Sequence, residues 1–121
     1  MDATYVFRVT VRLDPDGATL DPDRFEATME IPASEPGEDG WLFFRDRLWR
    51  GEIGDLDAFR AFASELLDAD VVDASFRELR TDDAFLDALK VEIGGDLDPF
   101  NADSVDEVLR KYLGSSVHVR D

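Results

Sequence analysis

Cysteine is absent from the 121 residues, and only two lysines and one histidine occur. Without thiols there is no disulfide, no thiolate nucleophile and none of the usual zinc sites. No stretch approaches the roughly 20 apolar residues of a membrane helix. The N-terminal MDATYVFRV has neither a basic flank nor a small-residue cleavage site, so no signal peptide is expected. No repeat, low-complexity segment or long linker divides the chain. These absences point to one soluble domain over residues 1–121, cytoplasmic, without a cofactor and without a membrane partner.

What is abundant is negative charge. Asp and Glu number 29 against 13 Lys and Arg, a net charge of −16. Asp outnumbers Glu 20 to 9, and Arg outnumbers Lys 11 to 2. Short, strongly hydrated carboxylates with almost no Lys suit a surface working in molar salt, where the Debye length falls to about 3 Å and like charges scarcely repel. Such a surface holds hydrated cations loosely. It also repels nucleic acid, whose binding loses its counterion-release drive in high salt. Disorder is excluded by nine Phe, two Trp and two Tyr spread along the chain, enough for a core.

Two segments alternate with period two, as half-buried strands do. Tyr5, Phe7, Val9, Val11 and Leu13 share one face, as do Phe25, Ala27, Met29 and Ile31. DPDG at 14–17 and DPD at 21–23 are turn chemistry. Charge favours the antiparallel register that sets Leu13 opposite Phe25, Arg12 opposite Glu26 and Arg8 opposite Glu30. A slide of two residues would instead oppose Arg12 to Arg24.

Farther on, Trp41, Phe44 and Leu48 make a helical stripe over 41–51, with Gly51 as its stop. Asp55 caps a helix bearing Leu56, Phe59, Phe62, Ala63 and Leu66. Val72, Ala74 and Phe76 read as a third strand. Thr81 caps a helix that Gly94-Gly95 stops, Asp103 or Ser104 opens a last helix ending at Gly114, and Val117–Val119 is a short strand. The order predicts an α+β fold, a four-stranded mostly antiparallel sheet with helices packed on one face.

Catalytic chemistry is hard to find. His118 lies in the last strand with no strained nucleophile turn beside it, and reads as a surface histidine. Asp96, Asp98 and Glu107 occupy the first, third and twelfth positions of a calcium loop, but Phe100 and Asn101 break its centre. The acids Asp14, Asp16, Asp21 and Asp23 crowd one loop and suit loosely held cations rather than a metal site. Gly94-Gly95 follows a helix and lacks the Lys-Ser/Thr of a phosphate loop.

One segment stands apart. Residues 41–52, WLFFRDRLWRGE, hold both Trp and three Arg against two acids. Trp and Arg are the side chains most enriched at binding hot spots. Packing by Trp41, Phe44 and Leu48, with Arg45, Arg47 and Arg50 paired to carboxylates, is the favoured account. The candidate binding residues are Arg45, Arg47, Leu48, Trp49 and Arg50.

Within this segment, Leu48-Trp49-Arg50 and its surroundings, Phe43 to Glu52, resemble the namesake motif of the LWR-salt proteins. That family comprises small proteins of halophilic archaea of about this length. The resemblance implies a haloarchaeal cytoplasm and supplies no catalytic residues. Two functions follow as expectations. The first is a non-catalytic module that binds a protein, most simply a second copy of itself. The second is an enzyme or small-ligand binder in which the arginines grip an anion; it ranks lower because no general base can be named.

Overall fold

The computed structural model describes residues 1–13 and 23–120. The turn read at 14–17 and all of the turn read at 21–23 except Asp23, with the loop acids Asp14, Asp16 and Asp21, lie outside them. In chain order the elements are β1 (Ala3–Arg12), β2 (Arg24–Pro32), α1 (Phe43–Arg47), β3 (Leu48–Trp49), β4 (Glu52–Ile53), α2 (Leu56–Leu67), β5 (Asp70–Thr81), α3 (Asp83–Gly95), a 3₁₀ turn at Asp98–Phe100, α4 (Val105–Leu113) and β6 (Val117–Val119). No helix among the described residues is long and apolar enough to cross a membrane.

The main sheet has the order β2-β1-β5-β6. β1 pairs antiparallel with β2 and β5, and β6 runs parallel to β5, so this α+β sheet is mixed at its short edge. Period-two alternation sets its faces. Tyr5, Phe7, Val9 and Val11 are buried, and Phe7 packs on Phe59 of α2 with ring centroids 4.5 Å apart. The helices contribute Phe44, Phe85, Leu89, Ile93, Val108 and Leu113 to the same core. In α2 only the middle of the expected stripe is covered: Phe59 and Ala63 are buried, whereas Leu56 and Leu66 at its ends are exposed.

The opposite face carries charge. Arg8 meets Glu26 at 3.5 Å, Arg12 meets Asp70 at 3.6 Å, and Arg80 bridges Glu30 at 3.2 Å and Glu78 at 3.0 Å. Glu30 and Glu78 sit opposite Val6 on its two neighbouring strands, and Val6 is buried beneath this bridge. His118 Nδ1 reaches the other Glu78 oxygen at 2.6 Å. That contact, reinforced by Arg80, holds the Glu78 carboxyl below the usual carboxylate range.

Charge did not choose the β1–β2 register. The pairs are Arg12 with Arg24, Val11 with Phe25, Arg8 with Thr28 and Val6 with Glu30, the slide disfavoured on sequence. The reason is that the arginines find partners elsewhere: Arg12 turns to Asp70 on β5, and Arg8 reaches Glu26 diagonally. A two-strand argument omits the third strand.

β5 also departs from simple alternation. Register shifts lie between Val6 and Phe7 and between Thr10 and Val11, so Phe7 faces Phe76, Val9 faces Ala74, and Val11 faces Val71. Two bulges thus switch the inward phase along one strand. Val71, rather than the expected Val72, enters the core.

Helix caps follow local chemistry. Asp55 accepts from Ala58 N–H and Ser104 Oγ from Glu107 N–H. The α3 cap is Asp82, which accepts from Phe85 N–H at 2.8 Å, and not Thr81. Thr81 ends β5, and its hydroxyl donates to the Asp2 carbonyl. Those backbone N–H groups, first Phe85 and then Asp2, hold Asp82 below the ordinary carboxylate range, with the N-terminal ammonium adding to them.

Candidate functional site

The expected helix over 41–51 is broken. α1 stops at Arg47, and Leu48 is already extended, with ψ 152°. Leu48–Trp49 and Glu52–Ile53 then pair as a hairpin around Arg50-Gly51. Both turn residues have positive φ, 53° and 80°, as the two-residue turns that match strand twist require. A five-residue helix is too short to stand alone. The stripe Trp41, Phe44, Leu48 does face the core, but the backbone changes type beneath it.

In the hairpin, alternation assigns the motif its roles. Leu48 is only 2% exposed and packs in the core, whereas Trp49 points outward at 45% exposed. Arg50 takes the left-handed turn position, which costs a non-glycine residue roughly 1–2 kcal/mol. The turn is held from outside. Arg50 N–H donates to the Lys111 carbonyl at 2.7 Å and Gly51 N–H to the Tyr112 carbonyl at 3.0 Å. These are end carbonyls of α4, which have no partner within their own helix. The hairpin tip therefore caps α4, and Gly114 lies against it.

Between hairpin and helix opens a surface recess of about 540 Å³, lined by Trp49, Arg50, Glu107, Arg110, Lys111 and Gly114. Three cations face one carboxylate here, on a chain of net charge −16. The Trp49 ring stands edge-on to Tyr112, centroids 5.9 Å apart, and Tyr112 in turn contacts buried Phe44 and Phe100. The Arg50 guanidinium and the Lys111 ammonium each lie 5.7 Å from the Trp49 ring centre. Lys111 Nζ is fixed by the Phe100 and Asn101 carbonyls, at 2.9 and 3.1 Å. Among the described residues, neither Arg50 nor Arg110 has a carboxylate within ion-pair distance. The recess thus offers two guanidinium groups, a fixed ammonium and an exposed indole.

The structure divides the candidate residues. Trp49 and Arg50 share the recess, while Leu48 supports it from within. Arg45 pairs with Asp46 at 3.1 Å. Arg47 lies over the Phe62 ring at 4.7 Å and lines a different recess with Trp41 and Asp46. The three arginines expected to grip one anion are therefore not one constellation. The residues that sequence reasoning missed are Arg110 and Lys111. Their position in the last turn of α4 reads as compensation of the helix dipole, and nothing local announces that a hairpin 60 residues earlier lies beside them.

Elsewhere the geometry holds less. Phe100 of the broken calcium loop is buried and stacked on Phe44 at 5.9 Å. Among the described residues no group of three or more His, Asp or Glu side chains is placed to hold a metal ion. His118 is exposed and engaged with Glu78.

Fold and recess together define an acidic α+β protein with a cation-lined cleft built from a hairpin and a helix end. The chain belongs to the LWR-salt family, whose model, described as LWR-salt protein, matches residues 1–121. No curated protein and no solved structure matched it.

Proposed function

We propose that this protein is a non-catalytic interaction module of a high-salt, haloarchaeal cytoplasm, and that the Trp49 recess docks an acidic segment of a protein partner. The observation that carries the reading is the meeting of Trp49 and Arg50 with Arg110 and Lys111. In molar salt, long-range attraction is screened within a few ångströms. A ligand must then be held by short-range contacts: paired guanidinium hydrogen bonds to carboxylates and apolar contact on the indole. Both are supplied at one place. Acidic proteins are also the partners such a cytoplasm offers most.

The test is binding of acidic peptides, with and without an aromatic residue, in molar KCl. Retention of aromatic-containing acidic peptides by the wild type, lost in Trp49→Ala and in Arg50→Gly, supports the reading. Arg50→Gly is the cleaner variant, because glycine suits the left-handed turn and leaves the fold intact. Equal retention by all three proteins refutes it.

A second reading uses the same residues. Arg50, Arg110 and Lys111 would grip a small anionic metabolite, with Glu107 beside them as the one acidic side chain lining the recess, as in an enzyme or ligand-binding protein. Its discriminator is a thermal-shift screen of anionic metabolites in high salt, where a flat response counts against it.

A further inference from the structure

We propose that two copies of this chain join through β2, edge to edge and antiparallel, with Ala27 on the twofold axis. Among the described residues the sheet order leaves β2 at an edge, paired on one side by β1. The hydrogen bonds Leu13 N–H to Asp23 and Ala33 N–H to Ala3, at 2.6 and 2.9 Å, fix the phase of that ladder. Odd-numbered residues of β2 give their backbone groups to β1, and Arg24, Glu26, Thr28 and Glu30 turn theirs to the free edge. Pro32 occupies the next outward position and has no N–H to offer.

Those facts leave one favourable register among those engaging more than half of β2. An axis at Glu26 or Glu30 opposes like acids directly. An axis at Thr28 sets Glu26 against Glu30 and Arg24 against Pro32, and an axis at Met29 sets Glu26 against Pro32. An axis at Ala27 opposes Arg24 to Glu30 of the second copy, twice by symmetry, and Glu26 to Thr28. On the other face it sets Phe25, 45% exposed in the single chain, opposite Met29 of the second copy, which is itself buried in its own core. Glu26 and Glu30 already meet Arg8 and Arg80 within their own chain, so the side chain that gains a new partner at this axis is Arg24, which would join Arg80 on Glu30 of the second copy. Net charges of −16 on each copy oppose the union at low ionic strength, whereas molar salt screens them and leaves backbone bonds and apolar contact in force. The dimer is a device of high salt.

Cross-linking tests the axis. A residue on it in a non-hydrogen-bonded pair has its Cα about 4.5 Å from its own copy, inside the disulfide range of about 4.4–6.8 Å. The native chain has no cysteine, so single introductions are unambiguous. In molar KCl, Ala27→Cys is expected to oxidise to a covalent dimer, and Glu26→Cys and Thr28→Cys are not. Sedimentation equilibrium is expected to give twice the chain mass for the wild type, and the monomer mass for Thr28→Pro, which removes an outward N–H and leaves the β1 ladder whole. A monomeric wild type overturns the proposal, as does cross-linking through position 28 or 26 instead of 27. A dimer that survives Thr28→Pro with β structure retained overturns it too; if that variant unfolds, the cysteine pattern decides alone.

Discussion

Gly51 and Gly114 meet backbone to backbone. A β-carbon on Gly114 would lie 3.3 Å from the Gly51 Cα and 3.1 Å from the Arg50 carbonyl oxygen, and one on Gly51 would lie 3.1 Å from the Leu113 carbonyl oxygen. Both residues also have positive φ. The contact lets the hairpin tip reach the end carbonyls of α4, and so it forms the recess.

Gly114→Ala is accordingly expected to destabilise the protein through two causes, backbone strain at a positive φ and a tight approach to the Arg50-Gly51 backbone, which must give by a few tenths of an ångström. Each is worth roughly 1–3 kcal/mol. Thermal melts in high salt measure the loss. A midpoint unchanged from wild type would mean that hairpin and helix separate at little cost.

Leu48 and Trp49 are neighbours with opposite expected responses. Leu48→Ala opens a cavity in the core and should cost about 2–5 kcal/mol. Trp49→Ala removes a half-exposed ring and should cost well under that, while abolishing retention of acidic peptides. Paired melts and binding assays on the two variants check the division. Equal destabilisation would make the whole motif architecture.

Salt should stabilise the fold strongly. At about 0.1 M ionic strength the Debye length of roughly 10 Å lets surface carboxylates repel one another, and in the molar range that repulsion collapses. Domain stability is only about 5–15 kcal/mol, so a few kcal/mol of repulsion is decisive. The unfolding midpoint is expected to rise steeply from dilute to 2 M KCl. A midpoint indifferent to KCl would show that the acids are locally paired.

Acid should act in two directions. At low salt, lowering the pH from 7 to 5 protonates a few carboxylates and relieves repulsion, so stability rises. Glu78 and Asp82 oppose this further down. Their pKa values in the folded chain lie below the ordinary ones, Glu78 through His118 and Arg80, Asp82 through backbone N–H groups. Their stabilisation is therefore present above the unfolded carboxylate range, about pH 4, and is lost as the pH falls through their lowered values. Glu78→Gln should flatten the acid limb of a stability profile in molar salt. An unchanged limb would remove Glu78 from the account.

The fold class, the order of the main-sheet strands and the longer helices, and most of the core were legible because period two in β1 and β2, the cap at Asp55, the cap at Asp103 or Ser104, and the stop at Gly114 are local signals, each set by a few neighbouring side chains. Acidity and the lack of thiol chemistry follow from composition alone. The β1–β2 register was not legible, since Asp70 on a strand far along the chain supplies the charge that Arg12 needs. Nor were the bulges that bring Val71 inward, because β5 adjusts to a partner already in place. The motif was visible but its geometry was not. A helical stripe and a short helix followed by a hairpin bury the same Trp41, Phe44 and Leu48, and what separates them is the end of α4. Its carbonyls need donors, Arg50 and Gly51 provide them, and only the packing of the whole chain brings those groups together and sets Arg110 and Lys111 beside Trp49.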